Sequence, residues 1–241
     1  HPRFGNVMID CEGRITSYLE KPERPVCSTV STGIFCFRRK ALLELLESYR
    51  PRPEQGLYSL TSDVIQPAVS RIDARAWLFE QPWYYLGNLR EYYDFHMQLV
   101  AGRIQLFSPD WNILTNPSDR HLNSRTPAYF SRDSHVENSI VAPGCSIEGT
   151  VINSVLSPGV CVGRASTVNH SVIFHDVNVG EECRVEAAVI DKDARLSHGT
   201  QVGIWDGGPA RPMTVVPKAY RSPPGEVIRA GADLEALVSP E

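Results

Sequence analysis

The chain has 241 residues, 42% of them hydrophobic and 22% charged, which is the composition of one or two ordinary globular domains and not of a fibrous or disordered chain. A net charge of −4 excludes the broad basic surface that nucleic acid or an anionic membrane selects. No apolar run approaches the ~18 residues that a membrane span needs.

The opening His1-Pro2-Arg3-Phe4 has neither the charged region nor the apolar stretch of a secretory signal. Residues 4–9 read as a strand, Asp10 to Gly13 as a tight turn and Ile15 to Leu19 as the return strand. Glu20-Lys21-Pro22 closes this hairpin, and a loop follows through Pro25. The apolar run Ser31 to Phe37 predicts a central strand. Ala41, Leu42, Leu45 and Leu46 fall at helical spacing and predict a helix over 39–48, ended by Pro51 and Pro53. Thr61-Ser62-Asp63 predicts the cap of a second helix over 64–69, and Ala74 to Glu80 predicts another strand. Trp83 to Gly87 reads as a strand end or turn, and Leu89 to Val100 as a strongly apolar helix. Alternating strands and helices indicate an α/β unit. It lacks an opening strand and helix, so residues 1–107 are expected to be the back part of a larger Rossmann-like domain.

Residues 108–134 are rich in Pro, Asn, Asp and Ser and read as a linker. Its Trp111, Ile113, Tyr129 and Phe130 are apolar enough to pack against one side. From Val136 the pattern changes. Asn138-Ser-Ile-Val, Asn153-Ser-Val-Leu, His170-Ser-Val-Ile and Ala187-Ala-Val-Ile resemble one another, and their third residues, Ile140, Val155, Val172 and Val189, lie 15, 17 and 17 residues apart. A recurring period of this size means stacked coils of one supersecondary unit. β-Branched residues at short steps supply the strands, and Gly in Pro143-Gly144, Val162-Gly163, Val179-Gly180 and Val202-Gly203 supplies the corners. Residues 135–241 are therefore expected to form a left-handed parallel β-helix of hexapeptide repeats, with Val172 pointing inward and Asn178 at a corner. Val215-Val-Pro-Lys and Glu226-Val-Ile suit a last irregular coil, and Ala232 to Val238 a capping helix. The six Cys form no C-x-x-C pair, which argues against a zinc site. Most sit in apolar strand patterns as small hydrophobes, in keeping with a cytoplasmic protein.

Three stretches resemble the sugar-nucleotide pyrophosphorylases: Phe4-Gly5 with Gly13-Arg14-Ile15 and Glu20-Lys21-Pro22; Ser31-Thr32-Gly33-Ile34-Phe35; and Trp83 to Gly87 with Tyr92-Tyr93, Met97 and Leu99. Pro109-Asp110-Trp111-Asn112-Ile113-Leu114-Thr115 and the β-helix narrow the resemblance to the ADP-glucose pyrophosphorylases (glucose-1-phosphate adenylyltransferases) of bacterial glycogen synthesis. The resemblance implies nucleotidyl transfer from ATP to glucose 1-phosphate, with Mg²⁺ and cationic side chains offsetting the charge that builds on the phosphates. It places Glu20 on glucose hydroxyls, Lys21 on the sugar phosphate and Ser31 on the sugar; a solvated Glu-Lys pair at a strand end is the plain alternative.

Two departures from the family pattern point away from catalysis. No Gly-rich nucleotide loop of the G-x-G-T-R-L type occurs in these residues. Where the family has Trp-Arg-Asp-Val-Gly-Thr, with the Asp a metal ligand, this chain has Trp83-Tyr84-Tyr85-Leu86-Gly87-Asn88. A phenol with an ordinary pKa of ~10 is a poor Mg²⁺ ligand at neutral pH. The chain by itself is thus expected to hold no cofactor and to be inactive. The resemblance points to the non-catalytic, regulatory type of subunit, assembling as a homo- or hetero-oligomer with a catalytic pyrophosphorylase subunit. Two other readings compete. One is a hexapeptide acyltransferase using His170, His175 or His198 as general base. The other is a β-helix that serves only to hold an oligomer together.

Overall fold

The computed structural model describes residues 2–49, 59–104, 125–207, 211–232 and 234. It divides into two compact units, His1–Trp83 and Tyr84–Glu241.

In the first unit the hairpin forms as read. Strand β1 (Asn6–Ile9) pairs antiparallel with β2 (Ile15–Leu19), Val7 opposite Tyr18. Asp10 builds the turn: its Oδ1 accepts the backbone N–H groups of Glu12 (3.0 Å) and Arg14 (2.8 Å). Val7, Tyr18, Ile65 and Val69 make a small core, with Phe35 and Phe37 partly buried against it. Helix α1 (Arg39–Ser48) has the expected bounds. The second helix differs. It opens as a wide π-turn over Leu60–Ile65 and continues into the short α2 (Gln66–Ala68), and its cap is Ser59, whose side chain accepts from Ser62 N. Pro67 lies just after the π-turn, in α2.

The predicted strands over 31–37 and 74–80 do not form. Each makes one isolated bridge to the hairpin, Val30 to Asn6 and Arg75 to Arg14, and then runs on unpaired. Strand composition is present in both, but a strand exists only when a neighbour accepts its hydrogen bonds.

The second unit is a left-handed parallel β-helix. Its strands form three parallel sheets of six, five and five members. Corresponding residues stack one coil above another, as in Val151, Val168, Val185 and Val202. The stack starts before residue 135, since Tyr129–Phe130 pairs with Ser146–Ile147 as a strand of the first coil. That strand is half open to solvent, Tyr129 at 59% and Phe130 at 46%, so these rings do not pack inward as expected for the linker. Strands Thr214–Val216 and Val227–Arg229 supply the irregular last coil. Trp111 and Ile113, and the expected capping helix except for Ala232 and Leu234, lie outside the described residues.

The structure explains the four repeated segments residue by residue. Their first residues, Asn138, Asn153, His170 and Ala187, adopt left-handed backbone with φ of 44°, 49°, 46° and 46°, a corner conformation that Asn tolerates well. Their second residues form a buried ladder: Ser139 Oγ accepts from Ser154 N (3.1 Å), Ser154 Oγ from Ser171 N (3.1 Å) and Ser171 Oγ from Ala188 N (3.2 Å). Their fourth residues point inward: Leu156, Ile173 and Ile190 are at most 1% exposed and belong to the main core. Each such side chain contributes ~1.5–3 kcal/mol by burial.

The third residues do not point inward. Val172 pairs with Val155 and Val189 on adjacent coils, but it clusters with Tyr93 of helix α3 (Leu89–Val100) on the outer face. The expected register is therefore off by one, and Ile173 is the inward residue. Asn178 sits on the exposed side of a strand and not at a corner. Helix α3 is capped by Asn88, whose Oδ1 accepts Glu91 N (2.8 Å). Its Tyr92 stacks on Phe174 (centroids 5.7 Å), and its Tyr93 hydroxyl donates to His170 O (2.7 Å). Gly163 shows how close the coils lie: a Cβ there would stand 2.7 Å from the Gly180 carbonyl of the next coil.

Candidate functional site

The hairpin positions the first candidate group. Strand β2 alternates, so Tyr18 turns into the core while the chain leaves the strand at Glu20. Tyr18 is only 4% exposed, and its hydroxyl donates to Glu20 Oε2 at 2.9 Å. The Ser31 side chain lies near enough to the same hydroxyl to act on its titration. Burial pushes the Tyr18 phenol up to about 12; Ser31 lowers it, and the bond to Glu20 and its negative charge raise it. The structure thus brings Glu20 and Ser31 together on one buried phenol.

Backbone contacts fix the arrangement. Glu20 N donates to Gln66 Oε1 at 2.7 Å, tying the strand end to α2. Ser31 N donates to Gly5 O at 2.8 Å, and Ser31 Oγ accepts from Gly33 N at 3.1 Å. Asn6, 1% exposed, accepts Val26 N on its Oδ1 at 2.9 Å and so holds the loop between Glu20 and Ser31. Gly5 is required by space: a Cβ there would lie 2.4 Å from the Tyr18 hydroxyl and 3.1 Å from Glu20 Oε2.

Lys21 differs from its neighbours. It has a left-handed backbone, φ 43°, and its side chain is 61% exposed against 18% for Glu20. Its ammonium is 3.9 Å from Glu20 Oε1, a loose pair that leaves the Lys21 donors turned to solvent. A held carboxylate, a hydroxyl and a projecting cation form a set for hydrogen-bonding a polyol and pairing with an anion; this is binding chemistry. Glu20, Lys21 and Ser31 were singled out from sequence. Tyr18, Gln66 and Gly5 were not given roles, although the inward position of Tyr18 in the strand alternation was a usable signal.

The stretch at Trp83 to Gly87 is irregular. Trp83 meets Phe4 edge to face at 5.1 Å. Tyr84 packs on Phe95 at 5.1 Å, and the Tyr85 ring lies over Gly87, where a Cβ would come within 2.0–2.4 Å of it. Tyr84, Tyr85 and Leu86 line an open hollow of about 260 Å³ with Glu91, Asp94, Phe95 and Gln98 of α3. At Tyr85 itself the side chain offers a phenol oxygen, a poorer ligand for a divalent cation than a carboxylate. No group of three or more His, Cys, Asp and Glu suited to a metal occurs among the described residues.

The β-helix histidines have separate surroundings. His170 is a corner residue with its ring on Asn169 Oδ1 (2.9 Å), His198 stands 3.7 Å from Glu182 at the surface, and His175 Nδ1 is buried without a hydrogen-bond partner. Glu186 is nearly buried. Burial alone would raise its carboxyl pKa, but Arg184 (2.6 Å) and Arg211 outweigh that and hold it below the usual range, so two guanidiniums share one carboxylate. No helix among the described residues is long and apolar enough to cross a membrane.

Residues 1–102 match the nucleotidyl transferase family, and residues 126–218 match the GlmU-like C-terminal hexapeptide family. The first of these runs through α3, although that helix packs on the coils. Three curated relatives are each named glucose-1-phosphate adenylyltransferase. That of Fervidobacterium nodosum is 30% identical over 84% of this chain and 48% of its own length. That of Cutibacterium acnes is 30% identical over 89% and 57% respectively. That of Pectobacterium carotovorum is 30% identical over 97% and 58%. The chain therefore spans about half the length of the curated relatives it matches.

Proposed function

The chain belongs to the glucose-1-phosphate adenylyltransferase family of nucleotidyl transferases, and on that footing we propose that it is part of a cytoplasmic protein of glycogen synthesis that binds glucose 1-phosphate but regulates the transfer instead of performing it. The observation that carries the regulatory half is Tyr85, a phenol at the position where the family pattern has its metal carboxylate. The convergence of Glu20 and Ser31 on the Tyr18 hydroxyl supports the binding half, with Lys21 projecting beside them. Glu20 accepts from sugar hydroxyls, Ser31 meets the sugar ring and Lys21 pairs with the phosphate. The protein acts as a companion to a catalytic subunit and changes that subunit's response to effectors or its apparent substrate affinity.

The full-length protein carrying this chain tests the proposal by calorimetry and a pyrophosphate-release assay. Binding of glucose 1-phosphate is expected, weakened about 10-fold or more by Glu20→Gln, because hydrogen bonds to a charged group contribute ~1.5–3 kcal/mol. Pyrophosphate release from ATP, Mg²⁺ and glucose 1-phosphate is expected at background. Mixing with a catalytic subunit is expected to shift that subunit's half-saturation by a coupling of ~1–3 kcal/mol. Clear turnover by the protein alone, or identical curves with and without it, would overturn the regulatory reading.

A further inference from the structure

One corner of the β-helix is turned differently in the last coil. From Thr150 to Val155, from Thr167 to Val172 and from Arg184 to Val189 the chain takes five steps. Between the next stacked residues, Gln201 and Val215, it takes fourteen. The extra length leaves the coil at Gly203, which has φ 75° and where a Cβ would run into the Glu186 carbonyl. Its two arms bring Trp205 and Arg211 back to the previous coil. The Arg211 guanidinium lies over the Trp205 ring, 5.6 Å from the centroid, and pairs with Glu186 Oε2. Arg184 donates to the other oxygen, with Nε at 2.8 Å and Nη2 at 2.6 Å from Oε1.

This corner holds more positive charge than it balances. Two guanidiniums face one carboxylate, and neither Arg has a second acidic partner among the described residues. Arg211 Nε is buried with no acceptor, although buried donors are nearly always paired. The Arg184 side chain is 57% exposed, so the cluster opens to solvent on that side. A guanidinium fork pairs with an oxyanion at two points. A carboxylate offers two oxygens in one plane, and Glu186 already supplies one such group. Two forks that arrive from different segments are matched better by a tetrahedral group, whose oxygens face several directions. We infer that Arg184 and Arg211 form a phosphate-binding site at this corner, with Glu186 holding the two cations together and Trp205 fixing the plane of Arg211. The phosphate is inorganic or is the terminal group of a small metabolite. All four residues belong to the second unit, whereas Glu20, Lys21 and Ser31 belong to the first, so the inference does not rest on the sugar-phosphate reading.

Tryptophan emission of the full-length protein, titrated with inorganic phosphate in place of chloride at constant ionic strength, tests it. A saturable change is expected, and its loss in Trp205→Phe assigns the signal to this corner and not to the first unit. Arg184→Gln and Arg211→Gln are each expected to weaken binding about 10-fold or more, with circular dichroism confirming that the coils are kept. Should Arg211→Gln disturb the fold, Arg184→Gln, at the more exposed side chain, carries the test. Glu186→Gln removes the competing carboxylate and is expected to tighten binding. Titration with glycerol phosphate separates the two sources: tighter binding than inorganic phosphate assigns the site to a phosphate monoester, weaker binding to the free ion. A signal that persists in Trp205→Phe, or an affinity unaltered by both Arg variants, would overturn the inference and leave the cluster as packing of the corner. Equal binding of acetate would overturn the choice of phosphate.

Discussion

Ile173 and Trp77 mark the two extremes of apolar burial in this chain. Ile173 is fully buried between Leu156 and Ile190 on the neighbouring coils, whereas Trp77 is 93% exposed at the end of an unpaired segment. The two units follow different rules. In the β-helix each coil is covered by the next one along the chain, so partners lie 15 or 17 residues apart through most of the stack and 26 apart at its last coil, all encoded in the same stretch. In the first unit the hairpin satisfies itself, and the segments that leave it, 31–37 and 77–80, run on without strand partners among the described residues. A repeat stack carries the partners of its own strands; a lone hairpin supplies none for the segments that leave it.

The largest effect that would break this contrast is in the coils. Ile173→Asp places an unpaired charge in the core and is expected to cost more than about 4 kcal/mol, enough to collapse the β-helix transition in urea unfolding followed by circular dichroism. A variant that unfolds like the parent would mean that Ile173 faces solvent. Tyr93→Phe is the next step down. It keeps the ring over Val172 and removes only the bond to His170 O, so a loss of ~1 kcal/mol is expected in the same assay.

The sequence made much of this legible, and the failures are physical. Helices 39–48 and 89–100 and strand 15–19 were readable because their signals are local. The coil period was readable because it repeats. The register was not: Ser171-Val172-Ile173 offers two adjacent apolar residues, and the outward one is apolar only because α3 covers it. No local pattern tells which face a distant helix will occupy. The strands over 31–37 and 74–80 were readable as composition but not as structure, since strands depend on partners. At the candidate site, Glu20, Lys21 and Ser31 came from resemblance alone. Gln66, which holds the Glu20 backbone across 46 residues, carries no local signal.

A pH titration sharpens the comparison from the side of the first unit. Tyr18 deprotonates near its ordinary value of ~10 in an unfolded chain, but burial holds its proton to about 12 in the folded one. A raised folded value contributes stability that is fully present below pH ~10 and is lost as the pH climbs toward 12. Tyr220 in the β-helix is likewise pushed up to about 12, so the parent alone cannot separate the units. Tyr18→Phe is expected to remove the alkaline loss of the first unit and leave that of the coils. An unchanged alkaline profile of the first unit would mean that Tyr18 is open to water.

The smallest expected effect bears most directly on what the first unit lacks. In the 241-residue chain Trp77 touches little, so Trp77→Ser is expected to change stability by less than ~0.5 kcal/mol, the range of surface substitutions away from structural features. In the full-length protein the same change removes a large buried side chain and is expected to cost ~3–5 kcal/mol. The informative quantity is the difference between the two backgrounds, because effects of Trp77 on the unfolded state are shared and cancel. Urea midpoints of four proteins, parent and variant in each length, supply it. A large cost in both would place Trp77 in the core of the first unit itself; a negligible cost in both would leave it a surface residue with no sheet to join.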